Sequence, residues 1–416
     1  MKLLLAPDQR FTCQQCGLCC RGAWVVVTPA EVERYRAVGV ARFYADADAA
    51  AGVDPFEPVG HGHFRIRKRA DGACGFLSPD NRCRIHEELG AEAKPLACRV
   101  FPFRFHVAEG RPLVTTSASC PTIVKNEGEP LLAQASAIAA LRADWVRAFP
   151  EPAGAVLFDR GRPMGAETPS SLKASLRGML DRPEADGAPG LAQAVERMAL
   201  WLEDLLRHRV ARLKPDAFAD YVALTGRHAA ASEAEAAPRR ASAVTRLLAR
   251  GFLFTVVAVR DQAASASGGV ERQLRRARQL AHLHGLAPAT DVVDRSARRR
   301  VALDVSDPAV MGMVRHALRS IVEALGTGRR PIVDEMAVAA ATLAAGLELA
   351  AMAAVRAGRD RIDAASLTTG ITAAAQLAHA DTGALAALLP TLTGGVDALR
   401  LVSAWLVPGR APGPTV

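Results

Sequence analysis

Eight cysteines, Cys13, Cys16, Cys19, Cys20, Cys74, Cys83, Cys98 and Cys120, all lie in the first 120 of 416 residues. The first four form Cys13-x2-Cys16-x2-Cys19-Cys20. A CxxC step lets two thiolates reach one metal from a tight turn, and a second step directly after it adds a third thiolate. Thiolates select zinc, copper(I) or iron–sulfur clusters. Zinc takes four ligands in a tetrahedron, and a cubane cluster takes one thiolate at each iron. Eight cysteines permit two four-ligand sites, or one cluster with spare thiols. Cys19 and Cys20 are adjacent, so their side chains are expected to point apart and serve different sites. The CxxxCxxC pattern of radical adenosylmethionine chemistry is excluded, because Ala23 stands where its third cysteine would be. His61, His63, His86 and His106 share the region and could each replace a thiol.

These residues must be positioned by short, irregular elements. Trp24–Thr28 reads as a strand. Thr28, Pro29 and Glu31 then supply an N-cap, a first helical residue and a capping box for a helix through Arg36. Residues 46–62 read as loop, and His63–Lys68 alternates polar and apolar residues as a strand does. From about residue 130 the pattern turns helical. Pro130–Phe149, Leu191–Leu213, Ala241–Val259, Val270–Leu283, Ser306–Leu325, Pro331–Ala357 and Ala364–Leu389 are the expected helices, with residues 150–168 as a linker. The expected fold is therefore mainly α. A small, irregular, cysteine-rich metal-binding domain with some β structure (1–125) precedes an all-helical domain (130–407) and a disordered tail (408–416).

The motifs Cys16-Gly17-x-Cys19-Cys20, Cys74-Gly75-Phe76-Leu77, Cys83-Arg84-Ile85-His86 and Lys94-Pro95-x2-Cys98-Arg99-Val100-Phe101-Pro102 resemble the YkgJ-type cysteine cluster family. That family is described as a zinc- or iron-chelating domain. The resemblance covers about residues 10–125 and implies metal ligation by Cys13, Cys16, Cys19, Cys20, Cys74, Cys83 and Cys98. A weaker resemblance is to flagellin lysine-N-methylases. It rests on Glu88-Leu89-Gly90, Leu96-x-Cys98 and Ser117-Ala118-Ser119-Cys120-Pro121, and it would account for Cys120. It implies a protein-lysine methylase using S-adenosylmethionine. Gly17 and Phe101-Pro102-Phe103 depart from the methylase pattern, and the helical half lacks the glycine-rich loop of Rossmann-type methyltransferases.

The primary expectation is thus a metal-binding protein, with an iron–sulfur cluster ranked above zinc for its triple-cysteine step and surplus thiols. The methylase is the alternative, and whether the chain is an enzyme stays open. Hydrophobic residues make up 50% and charged residues 23%, which excludes wholesale disorder. Met1–Asp8 lacks a secretory apolar stretch, so a cytoplasmic location with reduced thiols is expected. Met336–Val355 approaches membrane-spanning length, but it is alanine-rich and holds Glu348, so a buried helix is expected rather than a membrane span. The net charge of +9 includes two arginine runs, Arg272–Arg278 and Arg295–Arg300. Few aromatics interleave with them, which disfavours nucleic acid. The helical half is expected to serve a protein partner or protein substrate.

Overall fold

The computed structural model describes residues 3–22, 25–44, 52–60, 62–69, 71–108, 110–150, 156–159, 161–165, 167–232, 237–249, 301–327, 330–378 and 396–407. Both arginine runs, His61, the Val270–Leu283 helix, most of Ala241–Val259, the end of Ala364–Leu389 and the 408–416 tail lie outside them. The chain is mainly α, with small sheets confined largely to the first part. Its contacts divide it into two units. Of the described residues, the first takes those within Met1–His106 and Pro112–Pro152, and the second those within Val107–Arg111, Ala153–Asp261 and Ala266–Val416.

The first unit is built from short elements. These are β1 (Arg10–Phe11), α1 (Leu18–Gly22), β2 (Val26–Val27), α2 (Pro29–Ala37), β3 (Phe56–Gly60) and β4 (His63–Ile66), followed by α3 (Arg84–Leu89) and α4 (Leu96–Val100). The hairpin β5 (Phe103–Ala108) and β6 (Arg111–Thr116), α5 (Pro121–Lys125), β7 (Glu129–Pro130) and α6 (Ala135–Ala148) complete the series. Strands β2, β4 and β3 form one antiparallel sheet, pairing Val27 with Phe64 and Phe56 with Ile66.

The expected capping box is present, since the Thr28 hydroxyl accepts from the Glu31 N–H and the Glu31 carboxylate accepts from the Thr28 N–H. Two apolar clusters hold this unit. One joins Val27, Val32, Tyr35, Phe56, Phe76 and Ile85. The other joins Val100, Phe103, Phe105, Val114, Leu131 and Ile138. Leu141 and Trp145 pack on the second cluster, so the apolar face of α6 ties this helix to the cysteine-rich unit.

The second unit opens with β8 (Leu157–Asp159) and β9 (Arg162–Pro163). The expected linker over 150–168 is shortened, because Leu157–Asp159 and Arg162–Pro163 pair as a hairpin that is part of the core. Phe158 is fully buried, the Arg162 guanidinium lies 4.9 Å from its ring and 4.7 Å from that of Phe218, and Arg162 Nη1 donates to the Leu205 carbonyl at 2.9 Å. Proline and glycine content signals turns, and it does not show that a turn is detached.

The helices that follow are α7 (Thr168–Leu180), α8 (Ala188–Leu205), α9 (His208–Ala211), α10 (Pro215–Ala231), α11 (Pro308–Glu323), α12 (Ile332–Arg356), α13 (Ala364–Ala378) and α14 (Leu399–Leu406). The single helix expected over Leu191–Leu213 is interrupted after Leu205. Helix α12 is long and apolar enough to cross a membrane, yet 67% of its most apolar window is buried inside this unit. Charge inside the unit is paired. Arg400 donates to both oxygens of Glu196, to Glu203 at 2.6 Å and to Asp397 at 3.0 Å, and the Glu196 side chain is fully buried.

Candidate metal centre

Cys19 and Cys20 sit on α1, two and three residues after Gly17. Gly17 adopts φ +70°, and a Cβ there would meet the Asn81 side chain at 2.8 Å. Glycine is the residue that takes this backbone without strain, so Gly17 sets the direction in which the second CxxC step turns. Backbone pairing then gathers distant cysteines. The Cys74 N–H donates to the Cys20 carbonyl at 2.8 Å, and bridges pair Lys68 with Cys74 and Leu77 with Cys83. Gly75 permits the close approach beside Cys74, since a Cβ there would fall 1.7 Å from the Tyr44 ring. Cys83 is the residue preceding α3, and Cys98 lies within α4.

The start of α4 is held by Glu31. Its Oε1 accepts from the Leu96 N–H at 2.7 Å, a contact that the local capping-box pattern does not reveal.

Cys19, Cys20, Cys74, Cys83 and Cys98 line one cavity of about 160 Å³. Its other walls are mainly apolar and include Val25, Ile66, Phe76 and Ile85, and Lys94 is the one charged residue among them. The Cys19 and Cys20 sulfurs lie 3.9 Å apart. This corrects the expectation that the adjacent pair diverges, because the short helix brings both thiols to the same space. The separation matches two thiolates on one tetrahedral metal atom, whose sulfurs sit roughly 3.8 Å apart for bonds of about 2.3 Å. Among the described residues, no three Cys, His, Asp or Glu side chains are already spaced as a closed ligand set.

The remaining cysteines lie elsewhere. Cys13 and Cys16 are exposed, while Cys120 is buried at the start of α5. Cys120 is close enough to Cys16 for the two to interact electrostatically. None of the described histidines lines the thiol cavity. His63 stacks on Phe149 with ring centroids 5.3 Å apart, and His106 hydrogen-bonds the Thr115 hydroxyl at 3.0 Å.

The electrostatics favour protonated thiols while no metal is bound. The neighbouring Cys20 thiol and burial hold Cys19 far above its ordinary range. Burial pushes Cys74 up to about 11 and Cys98 well above its ordinary value. Lys68 acts against this at Cys74, and Lys94 does so at Cys19 and Cys98. These two ammonium groups are the local positive charge available to offset thiolates. The donor set suits a soft metal, being five sulfurs in apolar walls with no carboxylate or imidazole. Lys94 stands in the quoted family motif and Glu31 in the capping box, but their places beside the thiols and at the Leu96 N–H come from tertiary neighbours.

Residues 12–121 match the CxxCxxCC family model, described as "Putative zinc- or iron-chelating domain". This stretch holds every cysteine but none of the long helices, so the match describes the cysteine cluster and not the helical half. A stretch of 76 residues is 36% identical to an uncharacterized protein of Methanocaldococcus jannaschii, covering 18% of this chain and 26% of that protein. The chain thus spans about a quarter of the length of the curated relative it matches. No solved structure matches.

Proposed function

We propose that the first unit holds an iron–sulfur cluster, with Cys19, Cys20, Cys74, Cys83 and Cys98 as the pool of ligands. One observation carries this reading: five thiols and no harder donor line a single cavity. Four of the five match the thiolates that a cubane cluster takes at its irons, and the all-sulfur lining suits soft iron–sulfur chemistry. When bound, the cluster would supply the one-electron chemistry that side chains lack. The chain's own residues hold the sulfurs through the Cys20–Cys74 backbone pairing, exclude water with apolar walls, and offset negative charge with Lys68 and Lys94. Cys13, Cys16 and Cys120 lie outside the cavity and are not part of the proposed ligand pool. Reduced thiols fit a cytoplasmic location. The helical unit is proposed as the platform for a protein partner.

Anaerobic purification followed by an absorbance spectrum and by iron, sulfide and zinc analysis tests the reading. A coloured protein with iron and acid-labile sulfide is expected. A colourless protein with stoichiometric zinc would overturn it.

The second reading, a protein-lysine methylase, rests on the Glu88-Leu89-Gly90, Leu96-x-Cys98 and Ser117–Pro121 resemblance. Ser117 and Cys120 are both buried there, and the Cys120 N–H donates to the Ser117 carbonyl at 3.1 Å. Calorimetry of the metal-loaded chain with S-adenosylmethionine decides it, and absence of binding ends that reading.

A further inference from the structure

A second concavity in the first unit, of about 590 Å³, shares Lys94 with the thiol cavity. This is the size of a small-molecule site. Four cations line it, Arg34, Lys94, Arg99 and Arg147, against two carboxylates, Glu31 and Asp144.

The carboxylates are already engaged. Glu31 accepts from the backbone N–H groups of Thr28 and Leu96, and Asp144 faces Arg147 one helical turn away at 3.2 Å. Arg99 pairs with Glu92, whose side chain is 84% exposed. A pair so open to water contributes little and can be exchanged for another anion. Arg34 and Lys94 join none of the ion pairs among the described residues, although the Arg34 guanidinium lies 5.3 Å from the Tyr35 ring. The groove therefore presents converging positive charge that its own carboxylates do not neutralise. Three of the four cations are guanidinium groups, whose planar fork matches carboxylate and phosphate oxygens.

We propose that this groove binds a small polyanion, a molecule carrying phosphate or carboxylate groups, beside the thiol cavity with Lys94 between the two. Bound there, the anion would lie within the same unit as the cluster ligands.

The test titrates the metal-loaded full chain, by calorimetry at fixed ionic strength, with inorganic phosphate and separately with succinate. Saturable binding of phosphate alone identifies a phosphoryl ligand, and binding of succinate alone identifies a carboxylate ligand. Either outcome supports the site. Arg34→Gln and Arg147→Gln are expected to weaken binding by about tenfold each, the loss of one charge-assisted hydrogen bond. Both variants should keep the metal content of the parent. Metal is measured on the same samples, so a zinc result that defeats the cluster reading leaves the anion result standing.

No saturable heat with either anion would overturn the proposal, as would unchanged affinity in both variants. Binding of a poly-glutamate peptide when neither small anion binds would also overturn it, since the groove would then be a protein-docking surface.

Discussion

The backbone N–H of Cys74 donates to the carbonyl of Cys20 at 2.8 Å. This one bond brings the second half of the CxxCxxCC run against a cysteine more than fifty positions downstream. It makes the thiol cavity a tertiary object, assembled from four separate segments, so the cysteines should differ in how much each matters.

Cys98→Ser is expected to abolish stoichiometric metal binding and to lower the melting temperature of the loaded protein. Site assembly and folding are coupled when ligands come from distant segments. Cys13→Ser is expected to keep most of the metal, because Cys13 is exposed and lies outside the cavity. Metal analysis and thermal melts on both variants check this, and equal metal loss would argue against the division of the thiols.

Metal-free protein should lose stability in alkali. Burial raises the Cys74 thiol from 9.0 to about 11 and also holds the Cys98 thiol well above its ordinary value. An acid whose pKa is higher in the folded state stabilises the fold below its unfolded pKa. That contribution fades as the pH climbs from about 9 towards about 11. Urea midpoints of metal-free protein at pH 7.5 and pH 10 should therefore fall, and Cys74→Ala should reduce the fall. Metal loading should release protons, which calorimetry in buffers of different ionisation enthalpy would detect.

Glu31→Ala removes the capping-box acceptor and leaves the Leu96 N–H without its partner. The expected cost is about 1–3 kcal/mol. Because Leu96 begins the helix that carries Cys98, metal retention should fall with it. Thr28→Ala disturbs only the cap and should cost about 1 kcal/mol while leaving metal retention close to that of the parent.

In the second unit, Arg400→Met removes the main partner of the fully buried Glu196 carboxylate, leaving it the Arg239 backbone N–H at 3.1 Å and the Arg239 side chain at 3.7 Å. Breaking a buried pair from one side costs roughly 3–5 kcal/mol. The double variant Arg400→Met with Glu196→Leu should recover much of that loss. Arg319→Met breaks the partly exposed pair with Asp181 and should cost less than Arg400→Met. Urea denaturation of the three variants separates these outcomes.

Local chemistry was legible in the sequence. The capping box Thr28–Glu31, the strand at His63, the CxxCxxCC run of the matched family and the long helix at 332–356 each depend on residues within a few positions of one another. What tertiary structure alone decided are the relations that cross the chain. They include the convergence of Cys19 and Cys20 on one cavity with Cys74, Cys83 and Cys98, the hold of Glu31 on Leu96, the entry of the 157–163 hairpin into a core, and the pairing of Arg400 with Glu196. The physical reason is that periodicity and spacing report a residue's immediate neighbours. Burial, shared cavities and charge partners are set by which apolar faces collapse together, and no short window of sequence contains both faces.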